Sequence, residues 1–101
     1  MNNTVPIVLG AFLFILGIMN ISGNISSIHW YNRTRITEEN RREYGRVVGT
    51  GTLVIGVFFI VSGLLSLIFN NELFMLIIIL GCIVGLIFIL YGQFKYNKGI
   101  F

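Results

Sequence analysis

The stretch NRTRITEENRREYGR, residues 32–46, holds eight of the eleven charged residues in the chain, and long apolar runs lie on both sides of it. Of the 101 residues, 55% are hydrophobic and only 11% are charged. A soluble domain carries about 25% charged residues. The contrast between one charged segment and its apolar flanks therefore predicts a small integral membrane protein, with residues 1–101 forming a single membrane domain.

Three apolar runs are long enough to cross a bilayer, which takes about 20 residues for about 30 Å of hydrocarbon. They cover about residues 5–28, 47–69 and 73–94, and the second and third contain no Asp, Glu, Lys, Arg or His. Residues 29–46 then form a loop, and residues 95–101 form a C-terminal tail. The pattern predicts an all-α fold of three transmembrane helices in a small bundle.

The Lys and Arg residues determine the predicted orientation. The chain has seven of them, five in the loop and two in the tail, and three spans place these two segments on the same side of the membrane. Because Lys and Arg are concentrated on the cytoplasmic side, we predict a multi-pass protein of the cell membrane with its N-terminus out and its C-terminus in. The basic residues are Arg33, Arg35, Arg41, Arg42, Arg46, Lys95 and Lys98.

Part of the charged loop has the pattern of a helix start. Thr37 is a suitable N-cap, and Glu38 and Glu39 follow it, where carboxylates favour the positive end of the helix dipole. Glu38 and Arg42 are four residues apart, a spacing at which an exposed ion pair is worth about 0.2–0.5 kcal/mol. We therefore predict a short charged cytoplasmic helix that leads into the second span.

Glycines recur at a spacing of seven residues in every span. Such a spacing predicts seams where helix backbones approach closely, because packing over small residues replaces the hydrophobic effect inside the bilayer. The seams serve either a bundle within one chain or, most plainly for the G-x-x-x-G pair Gly81 and Gly85, contact with another protein or a second copy. The glycines are Gly10, Gly17, Gly49, Gly56, Gly63, Gly81, Gly85 and Gly92.

Few residues in the spans suggest chemistry. Asn20 and Asn24 are strongly polar and one turn apart, which favours either hydrogen bonds between helices or a polar site for an ion or ligand. Cys82 is the single cysteine and His29 the single histidine, and neither has the neighbours of a metal site or a catalytic set. We predict no cofactor and no metal. The interleaving of Arg with Glu argues against nucleic acid as a partner.

The arginines of the loop have two interpretations. They anchor the topology and contact anionic lipid headgroups, at about 1 kcal/mol for each residue near the surface. Alternatively, they form a docking surface for a protein. The glutamates between them favour the second interpretation slightly, because mixed charge gives specificity rather than adhesion.

Four short motifs resemble a known family. They are IHWYN at residues 28–32, TEEN at 37–40, YGR at 44–46 and GTG at 49–51. Together they are similar to the signature of small prokaryotic membrane proteins catalogued as domain of unknown function 3784. The resemblance covers roughly residues 28–63 and implies a three-span protein, without an activity, cofactor or site. The layout is also loosely similar to membrane immunity proteins that protect cells from secreted toxic peptides.

Three functions fit these patterns, and we expect none of them to be enzymatic. The first is an accessory or assembly subunit that packs beside a larger membrane protein through glycine-lined faces. The second is an autonomous immunity or sensing protein that recognises a secreted peptide. The third is a homo-oligomeric channel or carrier in which Asn20 and Asn24 line the path. The expected partners are membrane lipid and either a larger membrane protein or further copies of the chain.

Overall fold

A computed structural model describes residues 4–25, 36–69 and 74–98, and within them the secondary structure consists of helices. These are α1 (Thr4–Ile21), α2 (Glu38–Ile68) and α3 (Phe74–Tyr96). All three are long and apolar enough to cross a membrane. The prediction of an all-α chain with three such helices is confirmed.

Helix α1 ends earlier than its hydropathy predicts. The first span was expected to reach residue 28, but the helix stops at Ile21. Gly23 has a φ of +105°, its N–H bonds to the carbonyl of Asn20, and the N–H of Asn24 bonds to the carbonyl of Met19. This is the Schellman motif, in which a left-handed glycine closes a helix. The expected boundary is therefore wrong, because a cap rather than a loss of hydrophobicity ends the helix.

Helix α2 begins in the charged segment and is longer than the hydrocarbon core of a bilayer is thick. Thr37 is its N-cap, and the side chain accepts a hydrogen bond from the N–H of Asn40. At about 1.5 Å per residue, its 31 residues span about 46 Å. The charged residues from Glu38 to Arg46 therefore belong to the first turns of α2 itself. Within them Glu38 pairs with Arg41, at 3.1 Å, instead of the expected Arg42.

Helix α2 lies in the middle of the molecule, with α1 and α3 packed on it, and α1 and α3 scarcely touch each other. Gly49 faces α1, whereas Gly51 faces α3. Two residues along a helix correspond to a rotation of about 200°, so the two neighbours lie on nearly opposite sides of α2. The helices of the predicted small bundle thus form a row, in which α1 and α3 flank α2.

Two further features link α2 to α3 at the end of the molecule remote from the charges. The hydroxyl of Ser62 donates to the carbonyl of Phe74 at 2.7 Å, and the ring of Phe69 meets that of Phe74 edge-on at 6.2 Å. These contacts tie α2 to the start of α3 at that end of the molecule.

Candidate functional site

Four glycines bring the backbones of α1 and α2 together. A Cβ atom on Gly10 would lie 2.6 Å from the carbonyl oxygen of Gly56, and one on Gly17 would lie 2.8 Å from that of Gly49. Cβ atoms on Gly49 and Gly56 would each lie 2.7 Å from the facing carbonyl oxygen on α1. Any side chain at these positions therefore forces the helices apart. The spacing of seven residues places the glycines opposite each other in two layers.

A second seam joins α2 to α3. A Cβ atom on Gly51 would lie 2.5 Å from the carbonyl oxygen of Gly85, and one on Gly85 would lie 2.6 Å from that of Gly51. One turn away, a Cβ atom on Gly81 would overlap the side chain of Phe58. Gly81 and Gly85 both face α2 of the same chain, which favours the predicted seam within one chain over contact with another protein or a second copy.

Three other glycines have different surroundings. A Cβ atom on Gly92 would lie 2.8 Å from the Cγ2 atom of Val48, and one on Gly45 would meet the carbonyl oxygen of Asn20. Gly63 is buried on α2. Gly51 was the glycine that sequence reasoning missed, since it lies outside the register of Gly49, and the G-T-G triplet was the available signal.

The two asparagines do not share a face. Asn20 is in the last turn of α1 and is only 2% exposed. It packs against α2, where a Cβ atom on Gly49 would lie 2.8 Å from its own Cβ. Asn24 is exposed and lies beyond the helix, in the capping turn. The expectation that both lie on one face of the first span is wrong, because α1 ends between them.

A buried polar cluster lies where α2 meets the end of α3, and sequence reasoning missed it. Tyr44 and Asn97 are fully buried, and Gln93 is 6% exposed. The amide nitrogen of Gln93 donates to the hydroxyl of Tyr44 at 2.9 Å, whereas its Oε1 atom has no hydrogen-bond partner among the described residues. A glutamine within an apolar helix was the signal. Burial of these groups fixes α3 against the charged turns of α2.

Polar side chains surround this cluster on the outside. The hydroxyl of Tyr96 donates to the carboxylate of Glu43 at 3.3 Å, again across α2 and α3. Lys95 donates to the hydroxyl of Tyr91 at 3.0 Å. The Lys95 ammonium also lies 5.3 Å from the ring centroid of Tyr91 and 5.4 Å from that of Tyr96, within the range of cation–π attraction. This end of the molecule is therefore amphipathic, as expected for a membrane boundary.

A cleft of about 630 Å³ opens between the end of α1 and the start of α2. Its charged wall is the pair of Glu38 and Arg41, whose side chains are 81% and 48% exposed. Its other wall includes the capping turn with Asn24. The lining consists of Gly23, Asn24, Ile25, Ile36, Thr37, Glu38 and Arg41.

Three of the five predicted arginines are described, and they lie at this charged end. Arg41, Arg42 and Arg46 are exposed on α2. Arg33 and Arg35 lie outside the described residues. Among the residues that the structure describes, no three His, Cys, Asp or Glu side chains are grouped to hold a metal ion, and Cys82 is half-buried on α3. The arrangement offers hydrogen bonds, charges of both signs and a concave surface, which are the means of non-covalent recognition.

No family model, no curated protein and no solved structure matches the chain. The resemblance to domain of unknown function 3784 and the looser similarity to peptide-toxin immunity proteins therefore stay predictions.

Proposed function

We propose that the protein is a non-enzymatic accessory subunit of the cell membrane that docks a larger membrane protein through the cleft at its charged end. The observation that carries this proposal is the cleft itself, which combines an exposed ion pair with a polar capping turn. In our proposal the N-terminus lies outside the cell, and the charged end and the C-terminus lie inside it.

The length of α2 supports this placement of the cleft. The hydrocarbon core is about 30 Å thick, whereas the 31 residues of α2 span about 46 Å at about 1.5 Å per residue. The surplus of about 16 Å corresponds to the charged turns. These turns and the cleft beside them therefore lie at the headgroup level, where the cytoplasmic segment of a partner can reach them.

The polar side chains of α2 support a binding role over a transport role. The hydroxyl of Thr50 donates to the carbonyl of Arg46 at 2.6 Å, and that of Thr52 donates to the carbonyl of Val48 at 3.1 Å. Ser66 likewise donates to the carbonyl of Gly63. These hydroxyl protons are bonded within the helix that carries them, so they are poorly placed to guide a solute.

The ion pair on the charged wall of the cleft can open to form ion pairs with a docking segment. An exposed ion pair contributes about 0–1 kcal/mol, so opening the contact between Glu38 and Arg41 costs little. A docking segment with charges of both signs can then pair with each residue in turn. Mixed charge discriminates against the wrong partners and leaves the protein less adhesive to lipid.

Charge reversal at Arg41 tests the proposal. We expect Arg41→Glu to reduce co-purification of the larger partner several-fold, while the chain still inserts into the membrane. Lys98→Glu is the matched control, because it changes the net charge equally at an exposed position beyond α3. Equal retention of the partner by both variants would contradict docking at the cleft.

A further inference from the structure

Helix α2 has a third face that neither neighbour covers in the described part of the chain. Its contacts with α1 run through Gly49, Leu53, Gly56 and Ile60, and those with α3 run through a different set that includes Gly51 and Ile55. The remaining face, which we call the outer face, grows more exposed along the helix, from half-buried at Thr50 to 73% at Ile68. It consists of Thr50, Val54, Val57, Val61, Leu64 and Ile68.

The composition of the outer face differs from that of the exposed surface of α3. Five of its six residues are β-branched, whereas exposed positions on α3 include Met75, Phe88 and several leucines. β-branched side chains have few rotamers to lose when they are packed. Helix association in the bilayer depends on such packing, since lipid tails are as apolar as the side chains. The outer face can therefore pack against a helix with little loss of side-chain freedom.

We propose that α2 of a second copy of this chain packs on the outer face, which makes the protein a parallel homodimer. The six residues are spaced alternately four and three apart, so they form two alternating sets. One set is Val54, Val61 and Ile68, all β-branched, and the other ends in Leu64. The second set also contains Thr50 and Val57, and the alternating spacing of four and three residues is the heptad spacing at which two helices pair.

The charges beyond the outer face also favour a second copy as the occupant. Glu39, Arg42, Glu43 and Arg46 are exposed on the first turns of α2 and interleave the two signs. Two copies that insert in the same direction have parallel α2 helices related by a two-fold axis along the membrane normal. Their equivalent residues lie at the same depth, so Glu43 of either copy is within reach of Arg42 and Arg46 of the other. The surface is complementary to itself.

Disulfide cross-linking in native membranes tests the homodimer. In a Cys82→Ser background, Val57→Cys places a thiol at the centre of the outer face. Ile79→Cys is the matched control. Gly51 faces Gly85 and the two helices are antiparallel, so Val57, six residues after Gly51, lies at the same depth as Ile79, six residues before Gly85. Ile79 is 51% exposed on α3. We expect oxidation to give a species of twice 11.4 kDa several-fold more efficiently from Val57→Cys than from Ile79→Cys.

Cysteine substitutions at further positions along α2 ensure that the result does not depend on one variant that misfolds. Val54→Cys and Val61→Cys should cross-link like Val57→Cys, whereas Leu53→Cys should not, because Leu53 faces α1. Equal yields at Val57 and Ile79, or no dimer from any of the three outer-face positions, would overturn the proposal. The inference does not rest on the docking cleft. If Arg41→Glu still retained every partner, docking at the cleft would be refuted, but the dimer through the outer face would still be expected.

Discussion

The backbones of Gly17 and Gly49 lie in direct contact across α1 and α2, and neither position can accept a Cβ atom. A Cβ on Gly17 would come within 2.8 Å of the carbonyl oxygen of Gly49, and the reverse substitution would give 2.7 Å. Both obstacles are backbone atoms, which cannot rotate away as a flexible side chain can. The contact therefore sets the distance between the two helices.

Gly49→Ala should lower the free energy of unfolding by about 1–3 kcal/mol, the usual cost of overpacking. The sign of this change in stability is informative, because in an isolated helix alanine is more stable than glycine by about 1 kcal/mol. Reversible unfolding in mixed micelles measures the difference. Ile87→Ala, at a position that is 62% exposed on α3, is the control and should change stability little. A more stable Gly49→Ala protein would show that α1 does not pack here.

Gly85→Leu should separate α3 from α2. The new side chain would meet the carbonyl oxygen of Gly51 and the side chain of Ile55, so we expect loss of the native fold rather than selective loss of a partner. Protease resistance of the membrane-inserted chain measures this. Leu86→Ala, at the exposed neighbouring position, is the control. If Gly85→Leu removed a partner while the fold stayed intact, the intramolecular seam would be refuted.

Tyr44 and Gln93 should be energetically coupled through their buried hydrogen bond of 2.9 Å. We expect a double-mutant cycle of Tyr44→Phe and Gln93→Leu to give a coupling free energy of about 0.6 kcal/mol, the average for hydrogen bonds between membrane helices. Gln93→Leu also removes the unpartnered Oε1 atom, so this single variant should cost less than Tyr44→Phe. Additive effects of the two substitutions would show that the bond is absent in the membrane.

Sequence reasoning located the three helices because hydropathy over about 20 residues is a strong signal. It placed the end of α1 seven residues too late, since hydropathy does not register the left-handed conformation of Gly23. It missed the pairing of Tyr44 with Gln93, because the partners are 49 residues apart and only the docking of α3 brings them together. Gly51 was missed because it lies outside the register of Gly49, and the G-T-G triplet alone does not show which face of α2 meets α3.

Gly23→Ala should destabilise the end of α1 by about 1–2 kcal/mol, because the position requires a left-handed backbone. Gly23→Asn is the matched control and should be tolerated, since asparagine adopts this conformation more readily than alanine. Hydrogen exchange at the amides of Gly23 and Asn24, which bond back into α1, reports the difference. Equal protection in both variants would mean that the Schellman motif does not hold the helix end.

Cysteine labelling should establish the proposed orientation. In a Cys82→Ser background, we expect Asn71→Cys, between the second and third spans, to react with an impermeant maleimide on intact cells. Asn40→Cys should react only after the membrane is opened, because it lies in the charged turns of α2. The opposite labelling pattern would place the charged end outside and refute docking from the cytoplasm.

The central claim is that this chain is an accessory subunit bound to a larger membrane protein. Native mass spectrometry tests it most directly. The tagged chain is extracted gently from its own membranes and its complexes are weighed. The account predicts a complex that contains a larger protein in fixed ratio with this chain. Masses that are only multiples of 11.4 kDa would contradict the accessory role and leave the chain to act by itself or with its own copies.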